Sequence, residues 1–200
     1  MCKGPGSREK ILSCARDLFY IVGYQTTSVD DILRISGVAK SNFYYHFRTK
    51  DDLAIAVLEL QMAEFERTAV QALADGVTDP RERLEAFCAA IIRAQAEIHR
   101  MGGCPFGNFA AALSIHEGDA SAERFRAVLC GVFDQIQCRL EACLQAGIES
   151  GVFRSDVPTE ELAATVLGAI EGLLLMTRTQ RCTTPLARGL PALQLMLRVG

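Results

Sequence analysis

The chain has 200 residues, half of them hydrophobic, with no tryptophan and a formal net charge of −3. That length and apolar share allow a substantial core and exclude a disordered or collagen-like chain. The charge is uneven. Residues 1–50 hold eight Lys/Arg against four Asp/Glu, and residues 51–200 hold thirteen against twenty. All four lysines (Lys3, Lys10, Lys40, Lys50) lie in the first part. This fits a small front module that meets an anion and a larger acidic body, although solvated faces alone give the same tally.

Ala, Leu, Glu, Gln and Arg abound, and period-two runs of β-branched residues are missing, so the chain is expected to be all-α. Residues 8–22 place Ile11, Leu12, Ala15, Leu18, Phe19 and Val22 at helical spacing, ending at Gly23. Ser28 is placed to cap a second helix, with Asp31 completing a capping box and Gly37 stopping it. "VAKSNFYYHF" forms a third helix after a tight turn, and Thr49 caps a fourth that runs to about Leu73. Asp79 and Pro80 open a helix expected to reach about Arg100. "MGGCPFGN" is a Gly/Pro corner, with Asn108 expected to cap a short helix to about Ile115. Ser121 is expected to open a long helix, Thr159 to cap the next, and Pro191 to kink or restart the last.

Eight cysteines occur at 2, 14, 88, 104, 130, 138, 143 and 182, without a C-x-x-C pair or a histidine at zinc spacing. The start of the chain lacks signal-peptide character, so a reduced, cytoplasmic protein without a metal or cofactor is expected. No apolar run is read as a membrane span.

Two short helices joined through Gly37, the second rich in polar and aromatic groups, form a helix-turn-helix pattern. Phe43 and Phe47 are four residues apart and are expected to face inward. Lys40, Ser41, Tyr44 and Tyr45 are then expected to face outward, beside Asn42. Hydroxyls there suit phosphate, ring edges suit thymine methyls, and Lys40 or Asn42 suits base edges. Lys50, at the start of the fourth helix, is expected to hold a phosphate. The competing reading makes Tyr44 and Tyr45 ordinary packing residues.

The stretch "TTSVDDILRISGVAKSNFYYHFRTKDDL" resembles the signature of TetR-family transcriptional regulators, over about Ser7 to Leu60. The resemblance implies a three-helix DNA-binding domain at 1–66, with its helix-turn-helix at about 28–47, and a larger helical domain at 67–200 for effector binding and dimerisation. It implies DNA contacts from Thr27, Ser28, Lys40, Ser41, Asn42, Tyr44, Tyr45, His46 and Lys50. Ala39 stands where a hydroxyl residue is frequent, so the third helix lacks a side-chain cap worth about 1 kcal/mol. "GGCPFGNFAAALS" resembles a glycine-cysteine corner found in one subgroup, some members of which sense electrophiles through that cysteine. With His99 and Arg100 one turn upstream, Cys104 is a candidate sensor.

An effector site is expected among Met62, Phe65, Phe87, Ile91, Cys104, Phe106, Phe109, Phe133 and Gln137, which suit a neutral or aromatic small molecule; core packing explains the same residues. The helix at 159–179 and the segment after it are expected to form a homodimer that reads a near-palindromic double-stranded operator. The function expected is therefore a repressor released by an effector or by modification of Cys104, and not an enzyme. The alternatives are an activator, or a small thiol enzyme using Cys104 with His99 or His116 as base.

Overall fold

A computed structural model describes residues 6–74, 79–97, 102–113 and 120–198. Nine α-helices and one 3₁₀ turn are found among the described residues. They are α1 (Ser7–Ile21), α2 (Val29–Ser36), α3 (Lys40–His46), α4 (Lys50–Thr68), the 3₁₀ turn Val70–Leu73, α5 (Pro80–Glu97), α6 (Pro105–Ala111), α7 (Ala120–Glu149), α8 (Thr159–Gln180) and α9 (Thr184–Met196). The chain is all-α, as its composition predicts. It divides into two compact units, residues 1–62 with 105–129, and residues 63–104 with 130–200. The split expected from sequence fell at 66/67.

In the first unit, Ile11, Leu12, Ala15 and Phe19 of α1 pack with Ile32 of α2, Phe43 and Phe47, and Leu53, Ala54, Val57 and Leu58 of α4 to form the core. The signals that delimit these helices are local. Ser28 Oγ accepts from the Asp31 amide at 3.1 Å, and Asp31 accepts from the Ser28 amide at 3.2 Å. The Ser28 hydroxyl, and after it Arg34, holds the Asp31 carboxyl below its ordinary pKa. Gly37 ends α2 at φ 67°, donating its amide to Leu33 O at 3.0 Å. Nothing lies within 4 Å of where a Cβ would project at Gly37. Gly37→Ala is therefore expected to cost only the left-handed backbone strain, about 1 kcal/mol, read as a shift in urea midpoint with unchanged slope. A loss several times larger would mean that the turn is held by more than its backbone.

In the second unit, α5 opens as predicted, Asp79 Oδ1 accepting from the Arg81 amide at 2.7 Å ahead of Pro80. Leu84, Phe87, Cys88, Ile91 and Gln95 line its buried face. Helices α8 and α9 pack as a pair, and α9 also meets α5.

Five expectations are corrected. Helix α4 stops at Thr68 and passes into the 3₁₀ turn rather than continuing to Leu73. Asn108 lies inside α6, because Pro105 takes the first helical position. Helix α7 opens at Ala120, and the Ser121 hydroxyl is drawn to Asp51 instead. Thr159 is the first residue of α8 rather than its cap, and its hydroxyl donates to Gln145 Oε1 at 2.8 Å. Pro191 sits within a continuous α9, where it withholds one amide from the carbonyl of exposed Ala187. Helix α8 is, by length and hydropathy, long and apolar enough to cross a membrane, contrary to expectation. Its Leu162, Ala163, Val166, Ile170 and Leu174 are buried in the second unit, as in a core helix. The expectations for Arg100 and Ile115 as helix ends lie outside the described residues.

Candidate nucleic-acid interface

Helix α3 is seven residues long and Ala39 gives it no side-chain cap. Its place depends on packing, since one isolated helix of this length does not hold itself together. Phe43 and Phe47 supply that packing, with ring centroids 5.9 Å apart and both side chains buried. The Arg8 guanidinium lies 5.6 Å from the Phe47 ring centroid, and Ser7 Oγ is 2.9 Å from His46 Nε2, so α1 holds the far end of α3.

The opposite face is open. Lys40, Ser41, Asn42, Tyr44 and Tyr45 are exposed, Tyr44 to 52% and Tyr45 to 84%. Lys40 pairs loosely with Asp30 at 3.6 Å, a surface contact that a phosphate easily displaces. Ser28 is exposed while capping α2, and Arg48 is exposed just past α3.

Three expected contact residues make contacts within the chain. Thr27 is 2% exposed, and its hydroxyl donates to Gly23 O at 2.8 Å. Lys50 turns inward. Its ammonium donates to Tyr24 O at 3.0 Å and Thr27 O at 3.1 Å, and sits 4.3 Å from the Tyr24 ring centroid. Burial lowers its pKa, partly offset by Asp51. Both residues brace the turn that precedes α2. His46 is half-buried against Ser7.

A bracing network that the sequence did not reveal lies in the same unit. Asp51 accepts from the hydroxyls of both Tyr24 and Ser121. Arg124 donates to Asp52 at 3.0 Å, and Gln25 Nε2 to Ala112 O at 2.7 Å. The Tyr24 ring packs on Phe19, Phe109 and Phe125 at 5.5, 5.5 and 5.2 Å between centroids. Helix α6 and the first turns of α7 are thus fastened to the three-helix head.

Residues 11–57 match the family described as "Bacterial regulatory proteins, tetR family", and residues 80–193 match "Tetracyclin repressor-like, C-terminal domain". The chain belongs to the TetR family of transcriptional regulators. It is 31% identical over 181 residues to the HTH-type transcriptional regulator LmrA of Bacillus subtilis, covering 90% of each chain. It is 29% identical over 179 residues to the HTH-type transcriptional repressor DhaR of a Mycobacterium species, covering 90% of this chain and 86% of that one. The crystal structure of a regulatory protein TetR from Rhodobacter sphaeroides superposes with a TM-score of 0.85 at 26% identity, over 96% of this chain and 98% of that one. This TetR-family protein is a DNA-binding transcriptional regulator, with an N-terminal helix-turn-helix and a helical C-terminal domain.

The residues expected to hold an effector fall in both units of this regulator. Phe65, Phe87, Ile91, Cys104, Phe133 and Gln137 belong to the second, where Phe65 and Phe87 meet edge to face at 6.1 Å. Gln137 donates to Glu141 at 3.1 Å. Met62, Phe106 and Phe109 belong to the first, with Phe109 in the aromatic group around Tyr24. Cys104 is 8% exposed, and the described cysteines are free thiols. His99, Arg100 and His116, invoked beside Cys104, lie outside the described residues.

Proposed function

We propose that the protein is a homodimeric repressor whose exposed α3 face reads a near-palindromic operator. Lys40, Ser41, Asn42, Tyr44 and Tyr45 make the groove contacts, with Ser28 at phosphate. The supporting observation is the division of α3: Phe43 and Phe47 are buried, while Tyr44 and Tyr45 are exposed to 52% and 84%. Thr27, His46 and Lys50 serve this surface indirectly, by setting the angle of α2 and α3.

Dimerisation is assigned to α8 and α9, which present Leu175, Met176, Leu195 and Met196 in solvent. The two α3 helices then sit about 34–36 Å apart, one turn of the duplex. A neutral or aromatic effector is assigned to the second unit, near Phe65, Phe87, Ile91, Phe133 and Gln137. Its binding, or modification of Cys104, favours a dimer whose α3 spacing no longer fits the groove. The regulator acts in the cytoplasm, where its operator is.

Fluorescence anisotropy with the intergenic DNA next to the protein's own gene tests this. Specific binding is expected, with strong salt dependence. Tyr45→Ala is expected to weaken it roughly tenfold, within the range of one base contact, while leaving the melting temperature unchanged. No binding to any neighbouring fragment at low salt would overturn the reading. An equal loss of stability and affinity in Tyr45→Ala would make the ring a packing residue.

A further inference from the structure

Gln95 follows Phe87 and Ile91 at intervals of four on the buried face of α5, so two apolar turns end on an amide. That amide is held in one orientation. Its Nε2 donates to Gly103 O at 3.1 Å, and turning it over would set two acceptors against each other. Gly103 is fixed in its turn by α8: it has φ 76°, and a Cβ there would lie 3.1 Å from Leu174 O and 3.3 Å from Arg178 Cβ. With Nε2 spent on this corner, Oε1 is turned away from it. Gln95 is 4% exposed, yet its Oε1 has no hydrogen-bond partner among the described residues.

A second such atom lies on α8 beside the same corner. Thr177 is one turn past Leu174 and next to Arg178, the two residues that approach Gly103. It is completely buried, and its Oγ1 also has no partner. Other helical threonines use the carbonyl four residues back. Thr68 donates to Glu64 O at 2.8 Å, Thr165 to Glu161 O at 2.7 Å and Thr179 to Leu175 O at 2.9 Å. Those three are exposed and satisfied, whereas the buried one is not. A buried polar group in this state has lost its hydration without compensation, unless a bound molecule supplies the partner.

We propose that Gln95 and Thr177 form the polar end of the effector site, and that the effector is a neutral, largely apolar molecule carrying a hydroxyl or amide N–H. This rests on the reading above that a neutral or aromatic effector binds the second unit, and adds what that molecule must bear. Gln95 Oε1 can only accept, so the ligand must donate to it. Thr177 can donate in return, to the oxygen of the same hydroxyl or amide. Phe87 and Ile91 take the apolar remainder. An ionised carboxylate has no donor and would set its oxygens against Oε1, so organic acids are refused. A site built around a hydrogen bond discriminates steeply against an analogue that lacks it, because the buried protein group is then left unpaired.

Fluorescence titration of the full chain with 2-naphthol and 2-methoxynaphthalene tests this, and the lack of tryptophan leaves the naphthyl emission clear. The two probes share ring and oxygen, and only the alcohol donates. The wild type is expected to bind 2-naphthol roughly tenfold or more tightly than the ether, and 2-naphthoate no better than the ether. Gln95→Leu is expected to bring alcohol and ether to one affinity. Thr177→Val, which keeps the side-chain shape, is expected to weaken 2-naphthol alone and to leave the melting temperature unchanged, because its hydroxyl holds nothing in the fold. Equal wild-type affinity for the alcohol and either other probe overturns the donor requirement, but leaves a site for small aromatics in this unit. Undiminished discrimination in Gln95→Leu overturns the role of Gln95, and a lowered melting temperature in Thr177→Val overturns that of Thr177. Binding of none of the probes overturns both this proposal and the effector reading beneath it, since water alone then serves the two atoms. Operator binding by the probe-free protein is a separate measurement, so the DNA-binding reading survives that result. Should Gln95→Leu fail to fold, the wild-type ratio and Thr177→Val decide.

Discussion

Phe43→Ala is expected to destabilise the first unit by about 3–5 kcal/mol, and to abolish operator binding at the temperature where the wild type binds. The side chain is completely buried, and its ring meets those of Tyr44 and Phe47 at 5.2 and 5.9 Å between centroids. Deleting it leaves a cavity where α3 meets α1, at the centre of the contacts that hold seven uncapped residues in place. A domain's whole stability is about 5–15 kcal/mol, so a loss of this size consumes much of it. Urea unfolding followed by far-ultraviolet circular dichroism measures the loss. Tyr45→Ala, next to it but in solvent, separates the two roles of the aromatic run. A cost below about 1 kcal/mol for Phe43→Ala would mean that α3 is anchored elsewhere.

The parts of this site that could be read from the sequence are those specified over a few residues. The Ser28–Asp31 box, the left-handed Gly37 and the i, i+4 pair Phe43/Phe47 each act within four positions, so their spacing states their role. The contacts of Lys50 within the chain were hidden for the opposite reason. A lysine at a helix start reads as an anion site, but its acceptors are carbonyls 26 and 23 positions back, which local spacing does not display. Thr27 looks like a phosphate ligand beside Ser28, yet its hydroxyl is used up on Gly23 O. Asp51 lies in the first turn of α4, where the helix dipole alone favours an acid. Its hydroxyl partners, Tyr24 and Ser121, are 27 and 70 positions away. For the same reason the attachment of α6 and the start of α7 to the head, with Phe109 packed on Tyr24, could not be anticipated. In α8 the apolar periodicity of Leu162, Val166, Ile170 and Leu174 is plain, but it does not tell burial within the chain from burial against a second copy. Nothing in the pattern told which of its leucines would be left in solvent.

Leu175→Glu is expected to convert the protein to monomers and to reduce operator affinity by about 100-fold or more. Leu175 is 64% exposed on α8, in one stripe with exposed Gly168 and Gly172, where nothing lies within 4 Å of a projected Cβ. Leu195 and Met196, 59% and 69% exposed, extend the apolar surface onto α9, which packs beside α8. Such a surface is poorly soluble alone, and the glycines let a second pair of helices approach closely. In a two-fold interface each substitution enters twice, so two carboxylates would have to be desolvated together, at several kcal/mol each. The wild-type residue contributes little to the fold of its own chain, so helicity and melting of the monomer are expected to be nearly unchanged. Sedimentation velocity reads the monomer, and anisotropy on a full site and on a half site reads the consequence. A monomeric variant should bind both with the same weak affinity, because one α3 helix then acts alone. If Leu175→Glu stays dimeric and binds the full site as tightly as wild type, the interface lies elsewhere, and the exposed face of α8 and α9 needs another partner.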